Sequence, residues 1–328
     1  MSARALQTLL LLCNAALLLQ LLSPCNGLSL DTVRDFLTRE EDTIIFSLIE
    51  RARYPLNRPA YDPAYLGAGP GHRLNASLAE LFVRESETIQ SKAGRYQSLQ
   101  EIPFFAYRVP FTLAPPYNFT SELYPAAAFV NVNDAIWSIY FNNLLPLLAK
   151  DGDDGNYAVT VDSDLACLQA LSRRINYGRF VAEVKFRGDQ QTYTSLIQSK
   201  DRDALMKLLT SEAQEDVVKR RVEKKATVFG QSITLDGQTE TGVNSSSLAN
   251  FKVYPSVVYR LYDQWVIPLT KQVEVEYLLH LATAQDPWLQ KTLETLVHMP
   301  VQQPPPVAPQ QRGSNHHGQA PNNPNLDG

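Results

Sequence analysis

Leu171–Phe186, LSRRINYGRFVAEVKF, is the stretch whose reading decides the fold class. Leu171, Ile175, Phe180, Val181 and Val184 recur at helical steps and mark one apolar face. Four cations and one acid share the stretch, and Arg174 and Lys185 fall along the edge of that face. Long cations beside a core are costly unless something pairs them. What those cations hold is therefore the functional question.

Extended towards the N-terminus, the pattern predicts a helix from about Ser163 to Lys185 through Leu165 and Leu168. Gly178 inside it costs about 1 kcal/mol relative to Ala, which points to another element approaching the backbone there. Similar periodicity predicts helices over Ser29–Tyr54, Ala76–Lys92, Asn133–Lys150, Asp201–Lys225 and Pro255–Leu281. Ser29 or Asp31 is available to cap the first, and Pro146 should kink the third. The polar run Thr227–Val253 has room for a short hairpin, without sustained alternation. The fold class is all-α.

The 328-residue chain has 44% hydrophobic and 20% charged residues and a net charge of −4, the composition of an ordinary globular protein. With no basic excess, no nucleic-acid partner is expected. Residues 1–27 combine an early Arg, an apolar run from Leu9 to Leu22 and a small-residue end, the layout of a secretory signal peptide. Asn14 and Gln20 make it a poor membrane span. The leader therefore points to the secretory pathway or extracellular space, with the cytosol as the alternative and the plastid behind it, and no membrane partner once it is removed. Sequons at Asn75, Asn118 and Asn244 matter only on that route. Cleavage would leave Cys167 alone, without a disulfide partner, and the five scattered His residues form no metal-ligand pattern. No cofactor motif is present. After about Pro300 the chain is rich in Pro, Gln, Asn and Gly and is expected to be disordered. The expected organisation is a leader over 1–27, a folded domain over 28–281, and a divergent extension over 282–328.

Arg174 and Lys185 lie eleven residues apart, about three turns, so on one helix their Cα atoms would be about 16 Å apart on a shared face. Arg34 and Glu41 share a face of the first helix, as do Ser211 with Glu215 and Thr270 with Glu274 on later ones. A local alternative exists for each: Arg34 pairing Glu41, Arg174 pairing any acid, Glu274 pairing Lys271, all as surface ion pairs worth about 0–1 kcal/mol. The residues alone reach a helical protein able to bind a small dianion.

VRDFLTREEDTIIFSLIERARY, IPFF, DGDDGNYA, CLQALSRRINYGRFVAEVKF, RVEKKATVFG and PLTKQVEVEYLL occur in order. Together they resemble the eukaryotic, all-helical chorismate mutases, above all those of plants, over about Leu28 to Leu279. The resemblance implies a homodimer that converts chorismate to prephenate on the way to phenylalanine and tyrosine, with no cofactor or metal. It implies that Arg34 and Arg174 grip the substrate carboxylates and that Lys185 contacts a carboxylate and the ether oxygen. Glu215 would accept the ring hydroxyl, Thr270 would help position substrate, Ser211 would occupy a variable neighbouring position, and Glu274 would face the ether oxygen. The family's effector positions fall at Arg95, Asn156, Ala158 and Val159. Ala158 and Val159 replace a Gly-Ser pair, and Gly94 stands where a second basic residue can occur, which implies weak or absent control by tryptophan and tyrosine. Asn176 replaces a common histidine. The competing reading is a secreted, non-catalytic binding protein on the same fold.

Overall fold

The structure is a computed structural model that describes residues 28–65, 76–115, 122–231 and 251–284. The leader, the extension beyond Ala284 and most of the hairpin segment lie outside the described residues.

The described residues form helices and turns, with no strand among them. Helix α1 (Leu30–Arg51) begins at a reciprocal cap: Thr32 N donates to Ser29 Oγ at 3.2 Å and Ser29 N to Thr32 Oγ1 at 3.0 Å. Such a cap satisfies two donors that the first turn would otherwise leave unpaired. Helix α2 (Leu78–Lys92) is capped by Ser77, whose hydroxyl accepts from Glu80 N. Glu87 on α2 is buried and accepts from Phe104 N at 2.8 Å and Phe105 N at 3.0 Å, pinning the irregular segment that follows.

Two long helical patterns are interrupted by π-turns just ahead of a proline. Helices α3 (Asn133–Ile139) and α4 (Leu145–Leu148) flank Tyr140–Leu144 ahead of Pro146. A proline lacks an N–H and its ring meets the carbonyl four residues back, and a widened turn accommodates both. The expected kink at Pro146 therefore takes the form of a π-turn on its N-terminal side.

The stretch that opened the reading forms two helices instead of one. Helix α5 (Tyr157–Asn176) ends at Tyr177 and α6 (Gly178–Gly188) starts at once. Close packing accounts for the glycine at the start of α6, because a Cβ on Gly178 would meet the Thr270 carbonyl oxygen at 2.7 Å. Helix α7 (Gln190–Ser199), capped by Asp189, has no counterpart in the sequence reading. The expected Asp201–Lys225 helix is broken into α8 (Arg202–Leu209) and α9 (Glu212–Phe229). Helix α10 (Pro255–Leu261), a second π-turn over Tyr262–Val266 ahead of Pro268, and α11 (Ile267–Ala284) complete the described chain.

Two apolar clusters hold the helices. One joins Ile44, Ile45 and Leu48 of α1 to Leu168, Leu171 and Ile175 of α5 and to Val258 and Leu261 of α10. The other joins Val33 of α1 to Phe180 and Val181 of α6, Leu205 and Leu209 of α8, and Val275 and Leu278 of α11. Inside the first, Asp164 accepts from Arg51 Nε at 2.6 Å, Tyr140 at 2.7 Å and Tyr61 at 2.6 Å, so a fully buried ion pair is also saturated with hydrogen bonds.

Candidate active site

The second apolar cluster opens into a cavity of about 350 Å³ among α1, α5, α6, α9 and α11. Leu30, Val33, Leu37, Val181, Leu209 and Ile267 supply apolar wall, while Arg34, Arg174, Lys185 and Lys271 face the carboxylates of Glu215 and Glu274. Four cations against two acids suit a small dianion. Thr270, Ser211 and Gln214 also line the space. All seven positions expected to bind or transform substrate thus converge on one cavity.

Arg174 is 5% exposed and lies over the Tyr262 ring at 5.8 Å. Its NH1 donates to Thr270 Oγ1 at 3.3 Å, and its Nε has no hydrogen-bond partner among the described residues. Arg174 lines the cavity with one side-chain hydrogen bond among the described residues, and a guanidinium so lightly engaged keeps donors for an acidic ligand. Arg34 stands at the mouth, paired with Asp31 at 3.5 Å and not with Glu41. Glu41 instead joins Arg221 at 2.8 Å and Lys225 at 3.1 Å.

Lys185 Nζ lies 2.9 Å from Glu274 Oε2 and 3.2 Å from the Leu209 carbonyl. Glu274 therefore pairs across helices, and the expected alternative of a local pair with Lys271 does not occur. Burial pushes the Glu274 carboxyl above the ordinary carboxylate range; the neighbouring Lys185 charge pulls it down, and burial outweighs that pull. Lys271 reaches Glu215 Oε1 at 3.0 Å and Thr210 Oγ1 at 3.4 Å. Sequence reasoning missed Lys271 and Gln214 as cavity residues. Lys271 sits beside Thr270, which was the available signal, but its partner Glu215 is on a different helix.

The effector positions do not meet within one chain. Arg95 donates to Glu101 at 2.7 Å and to Gln169 at 2.8 Å. Ala158 and Val159 are exposed in the first turn of α5, ten residues or about 15 Å of helix from Gln169. Asn156 precedes that turn without a side-chain cap bond. Asn176, in place of the histidine, joins a buried polar cluster with Asn133 at 2.7 Å and Ser172 at 3.1 Å.

A family model, chorismate mutase type II, matches residues 158–275. Chorismate mutase 2 of Arabidopsis thaliana is 54% identical over 255 residues, 77% of this chain and 93% of the relative. The chain belongs to the chorismate mutase family. Maize chorismate mutase 2, named cytosolic, is also 54% identical, covering 77% of this chain and 95% of the relative. The crystal structure of the Candida albicans chorismate mutase in complex with L-Trp superposes with a TM-score of 0.71 at 32% identity, covering 80% of this chain and 96% of that one.

The activity that this membership carries is chorismate mutase activity, the rearrangement of chorismate to prephenate. Nothing in the comparisons favours the non-catalytic alternative. They also correct the expected location. The apolar leader pointed to the secretory route, but a relative at 54% identity is named as cytosolic. An apolar run with a small-residue end is a compositional signal, which is why it misled. Among the described residues no helix is long and apolar enough to cross a membrane.

Proposed function

We propose that the cavity among α1, α5, α6, α9 and α11 is where the rearrangement occurs, with roles divided as follows. Arg174 receives one chorismate carboxylate on its guanidinium, and Arg34 closes over the other from the mouth. Planar guanidinium forks suit carboxylates because they can bond bidentately. Holding both ends folds the flexible enolpyruvyl arm over the ring, so that the carbons to be joined approach. Thr270 orients Arg174, and Glu215, whose Oε1 pairs with Lys271, accepts the ring hydroxyl. Ser211, just ahead of α9, borders that end of the cavity.

The reaction is an isomerisation: the C–O ether bond breaks as a C–C bond forms, and no atom is gained or lost. Negative charge grows on the departing ether oxygen. Lys185 donates to it from one side. Glu274 donates from the other in its protonated form, which its burial favours. Fixed donors in a dry site stabilise developing charge without reorganising. This reading is carried by a buried Arg174 lining a cavity with two more cations than acids.

The test is calorimetric titration with a bicyclic ether dicarboxylate that mimics the cyclic transition state. Tight binding lost in Arg174→Ala and Lys185→Met supports these assignments, and unchanged binding in both contradicts them.

We further infer a homodimer in the cytosol, in line with the resemblance and with the maize relative's name. Residues 28–281 are read as the catalytic domain. Weak or absent control by tryptophan and tyrosine is inferred from Ala158 and Val159, which lack the serine hydroxyl of the family's Gly-Ser pair.

A further inference from the structure

Arg173 neighbours Arg174 in the last turn of α5 but does not line the cavity. Its Nε donates to Glu40 Oε2 at 2.7 Å, and its NH1 lies 3.3 Å from Glu101 Oε1. The other Glu101 oxygen accepts from Arg95 Nε at 2.7 Å. One guanidinium thus ties α5 to α1 and to the segment after α2. Glu40 is buried, and a buried carboxylate left unpaired is expensive. Arg173 is its one hydrogen-bonded cation among the described residues.

Arg174 and Arg34 are held far less firmly. Among the described residues Arg174 has one long side-chain hydrogen bond, and Arg34 one exposed ion pair at 3.5 Å. With so few side-chain partners, the reach of these two guanidiniums depends chiefly on where α1 and α5 hold their Cα atoms. Arg34 lies six residues before Glu40 on α1, and Arg174 one residue after Arg173 on α5. The Glu40–Arg173 pair crosses between the same two helices that carry them.

We propose that Glu40, Arg173 and Glu101 form a brace that fixes the separation of Arg34 and Arg174, making Glu40 and Arg173 positioning residues for the substrate's two carboxylates. The proposal rests on the reading of Arg34 and Arg174 as the carboxylate grips. A brace acting on binding groups affects ground and transition states alike, so its loss should appear in KM with kcat preserved.

The experiment is steady-state kinetics on the full chain for Glu40→Gln, Arg173→Ala, Arg173→Lys and Arg174→Ala, with circular dichroism to check folding. Glu40→Gln and Arg173→Ala should raise KM by about tenfold, the loss expected when a charge-assisted hydrogen bond is removed. Their kcat should stay within about twofold, since uniform binding is what is lost. Arg173→Lys keeps one bond to Glu40 and should restore most of the KM. If Arg174→Ala is impaired but Glu40→Gln and Arg173→Ala keep the wild-type KM, the brace is overturned. It is equally overturned if the variants lose only kcat in proportion to lost helicity. An unimpaired Arg174→Ala would instead remove the site reading beneath it, and the brace with it.

Discussion

The Cα of Gly178 rests against the backbone carbonyl of Thr270, so closely that a methyl group there would sit 2.7 Å from the carbonyl oxygen. This contact lets α6 lie on α11 and brings Lys185 within 2.9 Å of Glu274. Gly178→Ala should push the helices apart. The overpacking costs about 1–3 kcal/mol, and improved helix propensity offsets at most about 1 kcal/mol. A lower denaturant midpoint together with reduced kcat/KM is expected. A variant with wild-type stability and kinetics would show that the contact does not set the site.

Glu274 gives a pH prediction with a definite sign. Its folded-state pKa is raised by burial, and in the proposed role it is the protonated form that donates to the ether oxygen. Activity should therefore be full below that pKa and fall as pH rises through it. Glu274→Gln keeps a donor that cannot ionise, so it should retain activity at low pH and lose the decline. The pH dependence of kcat for the two proteins decides this, and a Gln variant as inactive as Glu274→Ala would contradict the assignment.

The buried Asp164 carboxylate carries a stability prediction. Asp164→Asn leaves Arg51, which is fully buried, without its counter-charge. Breaking such a pair from one side costs about 3–5 kcal/mol. Urea denaturation at neutral pH should show a loss of that order.

Control by aromatic amino acids should be weak. Ala158 and Val159 offer no side-chain hydrogen-bond donor or acceptor in the first turn of α5. Added tryptophan should change kcat/KM by well under the roughly fivefold of ordinary allosteric coupling. Clear activation in steady-state assays would place effector recognition on other groups.

Local signals in the sequence carried most of the fold. The capped start of α1, the apolar steps of α5 and the end of α2 at Lys92 all follow from residues within one or two turns. The breaks did not. The division at Tyr177 adjoins Gly178, whose packing partner Thr270 is some ninety residues away in sequence. That between α8 and α9 falls at Thr210 and Ser211, inside an apparently unbroken apolar pattern. The residues that line the cavity were named from the family motifs, but their partners were not legible. Glu41 with Arg221, Glu274 with Lys185, and Lys271 with Glu215 all join separate helices, whereas spacing along one helix suggested local pairs.

Whether Arg174 and its neighbours rearrange chorismate in this cavity is decided by chorismate disappearance and prephenate formation with the purified full chain, Arg174→Ala alongside. Turnover by the wild type is expected, with a kcat/KM lower by about thirtyfold to several-thousandfold in the variant, the range for removing a buried charge partner. A folded wild type without turnover, or a variant as active as the wild type, would contradict it.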